Sequence, residues 1–225
     1  MSAEFLNARF AALYEHDARV RIVRVNEPGG VAAARFHLML GAEACAWRFG
    51  AGVSDDVADR LTTLCMRERA GLPDGPPAEA DGYRALLHGA EEWGGPAFVV
   101  PEDVGAPSEA CVTVGGADAA LLRDMPDWIP DAGQRYPFVA VLKNERAVAV
   151  CASVRMGVAV HCAGVETHLA HRRRGYAADA VRGWAARVRA RGLTPVYSTS
   201  FANKASRALA ARLKLSRVAT DFWIR

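Results

Sequence analysis

From about residue 136 onward the apolar positions change their spacing segment by segment, and each spacing predicts an element. "YPFVAVLKNERAVAVCASVR" holds two β-rich runs around "KNER", which predicts a hairpin. "VAVHCAGVETHL" predicts a third strand of the same character. In "HRRRGYAADAVRGWAARVRARG", Ala177, Val181, Trp184, Ala185 and Val188 recur at helical spacing with arginines on the opposite side, an amphipathic helix. "TPVYSTS" reads as a strand and "NKASRALAARLKL" as a helix, with Ala205, Leu209 and Leu213 aligned and Asn203 as its cap. "RVATDFWIR" closes the series as a strand. The order β-β-β-α-β-α-β predicts a compact α/β unit.

The first half of the chain is patterned less sharply. Residues 3–15 predict an amphipathic helix; "ARFHLML" and "ACAWRFG" predict two strands joined around Gly41, although neither alternates cleanly. "SDDVADRLTTLCMRERAG" has a full set of helix-end signals. Ser54 can cap it, Asp55 and Asp56 oppose the positive end of its dipole, and Arg67, Arg69 and Gly71 close it. "GLPDGPPAEADG" predicts a loop, followed by a short helix from Tyr83 to His88 and a buried strand in "PAFVVP". "ADAALLRDMPDW" predicts a helix stopped by Pro126. The expected division is an accessory, substrate-shaping region at 1–110 and the α/β unit at 111–225. A degenerate second copy of the same fold within 1–110 is the alternative.

Composition narrows the partners. The chain has 225 residues, 51% hydrophobic and 24% charged, an ordinary globular balance. No run approaches the ~18 apolar residues of a membrane span, so no membrane partner is expected. A net charge of +3 is too weak to imply a nucleic-acid partner. The arginine face also lacks the interleaved aromatics that single strands stack on. "MSAEFLNARFAALYEHD" carries acidic residues and no uninterrupted apolar core, unlike a secretory leader. Cys45, Cys65, Cys111, Cys151 and Cys162 are scattered, without C-x-x-C spacing, and read as reduced core thiols of a cytoplasmic protein.

The placement of the charge matters more than its sum. Arg172, Arg173 and Arg174 stand with Gly175 immediately before the amphipathic helix. Backbone N–H groups at a helix start have no intrahelical partners, and a glycine there removes the Cβ that would block an anion. Each N–H to a charged oxygen contributes ~1.5–3 kcal/mol, an exposed arginine pair ~0–1. The backbone would therefore hold the anion and the arginines steer it. The alternative is a solvated basic helix start. Neither G-x-x-x-x-G-K-[ST] nor G-x-G-x-x-G is present, which disfavours nucleoside triphosphates and dinucleotides.

"RRRGYA", Arg172 to Ala177, resembles the R/Q-x-x-G-x-G/A pyrophosphate loop of the GNAT superfamily, the acetyl-CoA-dependent N-acetyltransferases. It follows the third of three strands and precedes an amphipathic helix, as in that family. "AGVETHLAHRRRGYA" and "YSTSFANKASRALAARL" are similar to the strand-to-loop and strand-and-helix segments of one subgroup, in which Asn and Ser follow the fifth strand. The resemblance covers residues 136–225. It implies an α/β (α+β) fold: a mixed, mainly antiparallel sheet flanked by helices, strands 4 and 5 splayed, here with an N-terminal α/β extension. It implies acetyl-CoA as cofactor, with the diphosphate on the amides of Arg172, Arg173, Arg174, Gly175, Tyr176 and Ala177. The pantetheine arm would run along Val165, Glu166 and Thr167, and Asn203 and Ser206 would face the same cleft. The implied activity moves an acetyl group by direct attack to a primary amine of a small-molecule or peptide acceptor; a homodimer is compatible with it. Two departures stand out. The helix tyrosine that often serves as acid is Ala210, and the usual Gly-Phe or Gly-Leu helix end is Lys214-Leu215. Both leave open a non-catalytic acyl-CoA-binding sensor or scaffold.

Amine acetylation needs a neutral amine and donors for the developing oxyanion, and a carboxylate or imidazole helps remove the amine proton. Glu166 is the first candidate base because it lies nearest the expected thioester; His161 is the second. Strand alternation puts them on opposite faces unless a bulge intervenes. Glu166 could instead be a structural carboxylate paired with His168 or Arg172, and His161 a satisfied core histidine. His168 and His171 are expected to support the positive field of the loop. With no third ligand at useful spacing, no metal is expected. Ser198 and Ser200 could protonate the thiolate or cap the next helix, and Tyr176 could serve as acid or as helix-start packing.

Overall fold

Caps and alternating strands set most elements where the pattern puts them. In the computed structural model, which describes residues 2–30, 32–88 and 91–225, the Ser2 hydroxyl accepts the Phe5 amide and opens α1 (Ala3–Leu13). A hairpin of β1 (Tyr14–His16) and β2 (Ile22–Val25) follows, then β3 (Phe36–Gly41) and β4 (Cys45–Phe49). Ser54 caps α2 (Asp55–Cys65) at the Val57 amide, and α2 ends before the arginines expected to close it. Next come α3 (Ala80–Leu87), β5 (Glu92–Val99) and β6 (Cys111–Thr113). The hairpin β7 (Phe138–Lys143) and β8 (Arg146–Met156) turns on Asn144 and Glu145, both at positive φ (50° and 58°), as a tight two-residue turn requires. Then follow β9 (Val160–Thr167), α4 (Tyr176–Arg189), β10 (Thr194–Ser198), α5 (Lys204–Arg212) and β11 (Ser216–Ile224).

Two compact units result. The first holds the residues up to Phe98 with Ser198–Arg207 and Ser216–Arg225; the second holds Val99–Tyr197 and Ala208–Leu215. In the first unit the strand order is β4-β3-β11-β5, with β11 antiparallel to β3 from Ala219↔Gly41 to Ile224↔Phe36. β3 is buried along its whole length, which explains its unbroken apolar run: both faces are covered. Phe36, Leu38 and Leu40 pack with Leu61, Tyr83, Phe222 and Ile224 beneath α2 and α3. On the other face, Arg9 of α1 is fully buried and gripped by both oxygens of Asp221 at 2.9 and 2.8 Å.

The second unit orders its strands β10-β9-β8-β7-β6. Every pair is antiparallel except β9 with β10. α4 buries Val181, Trp184, Ala185 and Val188 as its spacing predicts, together with Ala178, while Ala177, expected on that face, is half-buried. The opposite face is covered by a segment of 3-10 turns, Gly116–Leu122 and Pro126–Trp128, over Phe138, Val150 and Ala152. This corrects the α-helix expected in "ADAALLRDMPDW". The Asp118 carboxylate accepts the Gly115 amide and so favours a tight turn, and Pro126 has no N–H to extend one. The sequence reading also missed β1, β2 and β6. Among the described residues no helix is long and apolar enough to cross a membrane. All five cysteines are free thiols; burial pushes Cys65 up to about 12 and Cys111 up to about 11.

Candidate functional site

β9 is paired along its whole length on one side and only in part on the other. With β8 the register runs from Met156↔His161 to Ala149↔Thr167, with a bulge between Ser153 and Arg155. With β10 the parallel pairs are Val160↔Thr194, His161↔Pro195 and Cys162↔Val196, and the pairing stops there. After β10 the chain bonds elsewhere: Thr199 donates to the Pro96 carbonyl (3.1 Å) and Phe201 to that of Gly94 (3.0 Å). A Cβ on Gly95 would overlap the Thr199 carbonyl, so glycine permits that approach.

Ladder alternation fixes which backbone groups face the opening. The His168 amide donates to the Val148 carbonyl at 3.0 Å, so 168/148 and, two residues back, 166/150 are the hydrogen-bonded pairs. Glu166 therefore spends its backbone groups on β8. Val165 and Thr167 turn theirs to the other side, where β10 has left. The Thr167 carbonyl accepts from Arg172 Nε at 3.3 Å.

The chain leaves β9 through a single 3-10 turn, Leu169–His171, and enters α4 at Gly175. The Arg172 amide closes that turn on Leu169 (3.4 Å). Among the described residues, the amides of Arg173, Arg174, Gly175, Tyr176 and Ala177 have no protein acceptor; the helical ladder begins with Asp179 on Gly175, and no side chain caps the helix. Gly175 has φ 91°, a conformation L side chains rarely adopt, and a Cβ there would lie 3.3 Å from Arg212 Nη2. Arg212, at the end of α5, thus adds a cation beside the loop that spacing along the chain did not reveal. Arg172, Arg173 and Arg174 are all exposed. Beside these arginines stands His171. Desolvation, then Lys143 and Arg174, hold its imidazole below the usual value.

The two candidate bases fall on opposite faces of β9. His161 is buried against α4: its Nδ1 lies 2.9 Å from Ser153 Oγ, which accepts the Trp184 indole N–H at 3.0 Å. Burial and Arg191 lower its pKa. Glu166 lies on the other face, exposed, where its Oε2 accepts the Trp128 indole N–H at 2.6 Å. No ion pair to His168 or Arg172 is formed among the described residues. Asn203 caps α5, its Oδ1 accepting the Ser206 amide (3.0 Å), while Ser200 Oγ accepts the Asn203 amide (3.2 Å). Tyr176 packs its ring edge-on to His171 at 6.2 Å. Ala210 is 1% exposed. Lys214 takes φ 51°, the conformation of the glycine it replaces, and the Leu215 amide still folds back on the Ala210 carbonyl (3.0 Å). Among the described residues no group of three or more His, Cys, Asp or Glu could hold a metal ion.

A partly opened parallel strand pair followed by free helix-start amides can take an extended chain that ends in an anion. Residues 138–219 match the model of the GNAT acetyltransferase family. This segment is similar to a GNAT acetyltransferase domain. The fold extends the likeness beyond the matched residues. A GNAT-family acetyltransferase from Colwellia psychrerythraea superimposes with a TM-score of 0.51 at 12% identity, over 80% of this chain and 76% of that one. A GCN5-related N-acetyltransferase from Kribbella flavida gives 0.45 at 16% identity, over 100% and 95%. A protein of the GNAT family from Novosphingobium aromaticivorans gives 0.48 at 20% identity; it is covered over 65% of its length, just short of two thirds, by 60% of this chain. No curated protein matches the chain. The mixed, mainly antiparallel sheet flanked by helices matches that fold, and β9 parts from β10 where the expected fold splays its fourth and fifth strands.

Proposed function

We propose that the GNAT domain moves an acetyl group from acetyl-CoA to a primary amine of a small-molecule or peptide acceptor by direct attack, without a covalent enzyme intermediate. The observation that carries this reading is the opening of β9 beyond Cys162 and Val196, which leads to a loop of unshared amides. Amides 173–177 suit a diphosphate, each N–H to a charged oxygen contributing ~1.5–3 kcal/mol. Arg172, Arg173, Arg174 and Arg212 surround them with positive charge that draws the anion in. Val165 and Thr167 offer an extended pantetheine arm the donors and acceptors of an added strand.

When bound, acetyl-CoA supplies the thioester: the amine nitrogen bonds to its carbonyl carbon, the C–S bond breaks, and coenzyme A leaves. Glu166 accepts the proton that the amine gives up, directly or through one water. His161 is the second candidate, its role limited by its burial against Ser153. Solvent protonates the departing thiolate, since the alanine at 210 has no acid to offer. That same alanine favours one other reading, an acyl-CoA holder without turnover.

Calorimetric titration with acetyl-CoA tests the site. Gly175→Val should abolish binding, because a β-branched residue resists positive φ and its methyls crowd the amides. Arg173→Ala should weaken binding by no more than about 5-fold. Normal binding by the valine variant would overturn the assignment. Coenzyme A release with a panel of amines separates turnover from holding.

A further inference from the structure

We propose that Trp128 is the positioning residue for Glu166, holding one carboxylate oxygen so that the other meets the amine; the inference rests on Glu166 being the base. A glutamate at the exposed end of a strand is free to turn about several bonds, and a base displaced by about 1 Å loses most of its advantage. Here the Trp128 indole fixes Oε2 at 2.6 Å, the short distance of a charge-assisted bond. Oε1 makes no hydrogen bond or ion pair among the described residues.

The tryptophan is itself immobilised. It ends the 3-10 turn Pro126–Trp128, and its amide donates to the Met125 carbonyl at 3.1 Å. Its ring packs edge-on against Phe138, centroids 5.7 Å apart. Beneath the ring lies Gly164, where a Cβ would come 3.1 Å from Trp128 Cη2 and overlap Val154. The sequence thus leaves a vacancy on β9, two residues before Glu166, into which the indole fits. The chemistry of the donor matters as much as its place. An indole N–H gives one hydrogen bond and accepts none, so it orients the carboxylate without taking the proton meant for it. An arginine or lysine in the same place would neutralise the base.

A double-mutant cycle tests this, read by coenzyme A release with the fastest substrate among benzylamine, spermidine, an amino-acid amide and a short peptide with a free N-terminus. Glu166→Gln should lower kcat roughly 100-fold. Trp128→Phe, which keeps an aromatic ring against Phe138 but loses the N–H, should lower kcat about 10-fold while acetyl-CoA affinity holds and the protein stays folded. In the Glu166→Gln background, Trp128→Phe should change kcat by less than about 2-fold. An equal loss in both backgrounds would make Trp128 a packing residue only and overturn the proposal. Unchanged turnover in Glu166→Gln would instead overturn the base assignment, and the inference with it. Release from none of the amines by the wild-type chain would overturn the transferase reading, and the inference falls with that too.

Discussion

Lys214 shows how a residue can depart from a pattern and still serve the geometry. At φ 51° it holds the left-handed position that ends α5, and the Leu215 amide closes the turn as a glycine-ended helix would. The conformation costs an L residue ~1–2 kcal/mol, partly offset because glycine loses more freedom on folding. Lys214→Gly should therefore stabilise the protein by about 0.5–1 kcal/mol in denaturant melts; a loss would show that the lysine side chain makes a favourable contact of its own. Single residues were legible where they act on near neighbours. Ser54 and Asn203 cap the helices they precede. Trp128 and Arg212 were not legible, because their partners Glu166 and Gly175 lie far along the chain and only folding brings them near.

At the scale of elements, β9 has an occupied side and an open one within two residues. The Glu166 amide belongs to the ladder with β8, whereas that of Val165 points into the opening. Proline removes an N–H and is tolerated in strands where that N–H is unpaired. Glu166→Pro should cost about 3 kcal/mol or more of stability. Val165→Pro should cost clearly less yet abolish acetyl-CoA binding, as followed by thermal melting and titration. Equal destabilisation would mean that β9 is paired on both sides. Periodicity predicted β7 to β11 and both helices of this region, but on α5 the buried residue is Ala210, and Ala205 of the expected face is exposed. It failed at 116–128, where apolar residues at helical spacing settle into 3-10 turns around Asp118 and Pro126.

For the whole molecule, β11, which follows every other strand along the sequence, belongs with the first strands in the first unit. No local spacing announces that β11 pairs with β3, or that Asp221 answers Arg9. Deleting Ser216–Arg225 leaves Arg9 without its carboxylate in a buried site, which costs about 3–5 kcal/mol by itself, and uncovers one edge of β3. The truncated chain should lose cooperative unfolding of the first unit by circular dichroism, while Asp221→Asn keeps it at reduced stability. A truncated chain that melts like the full one would refute this. The same strand imposes an order on biogenesis. Because β11 follows β3 far along the chain, α1 and β3 must wait during synthesis with an uncovered flank until β11 emerges to pair with them.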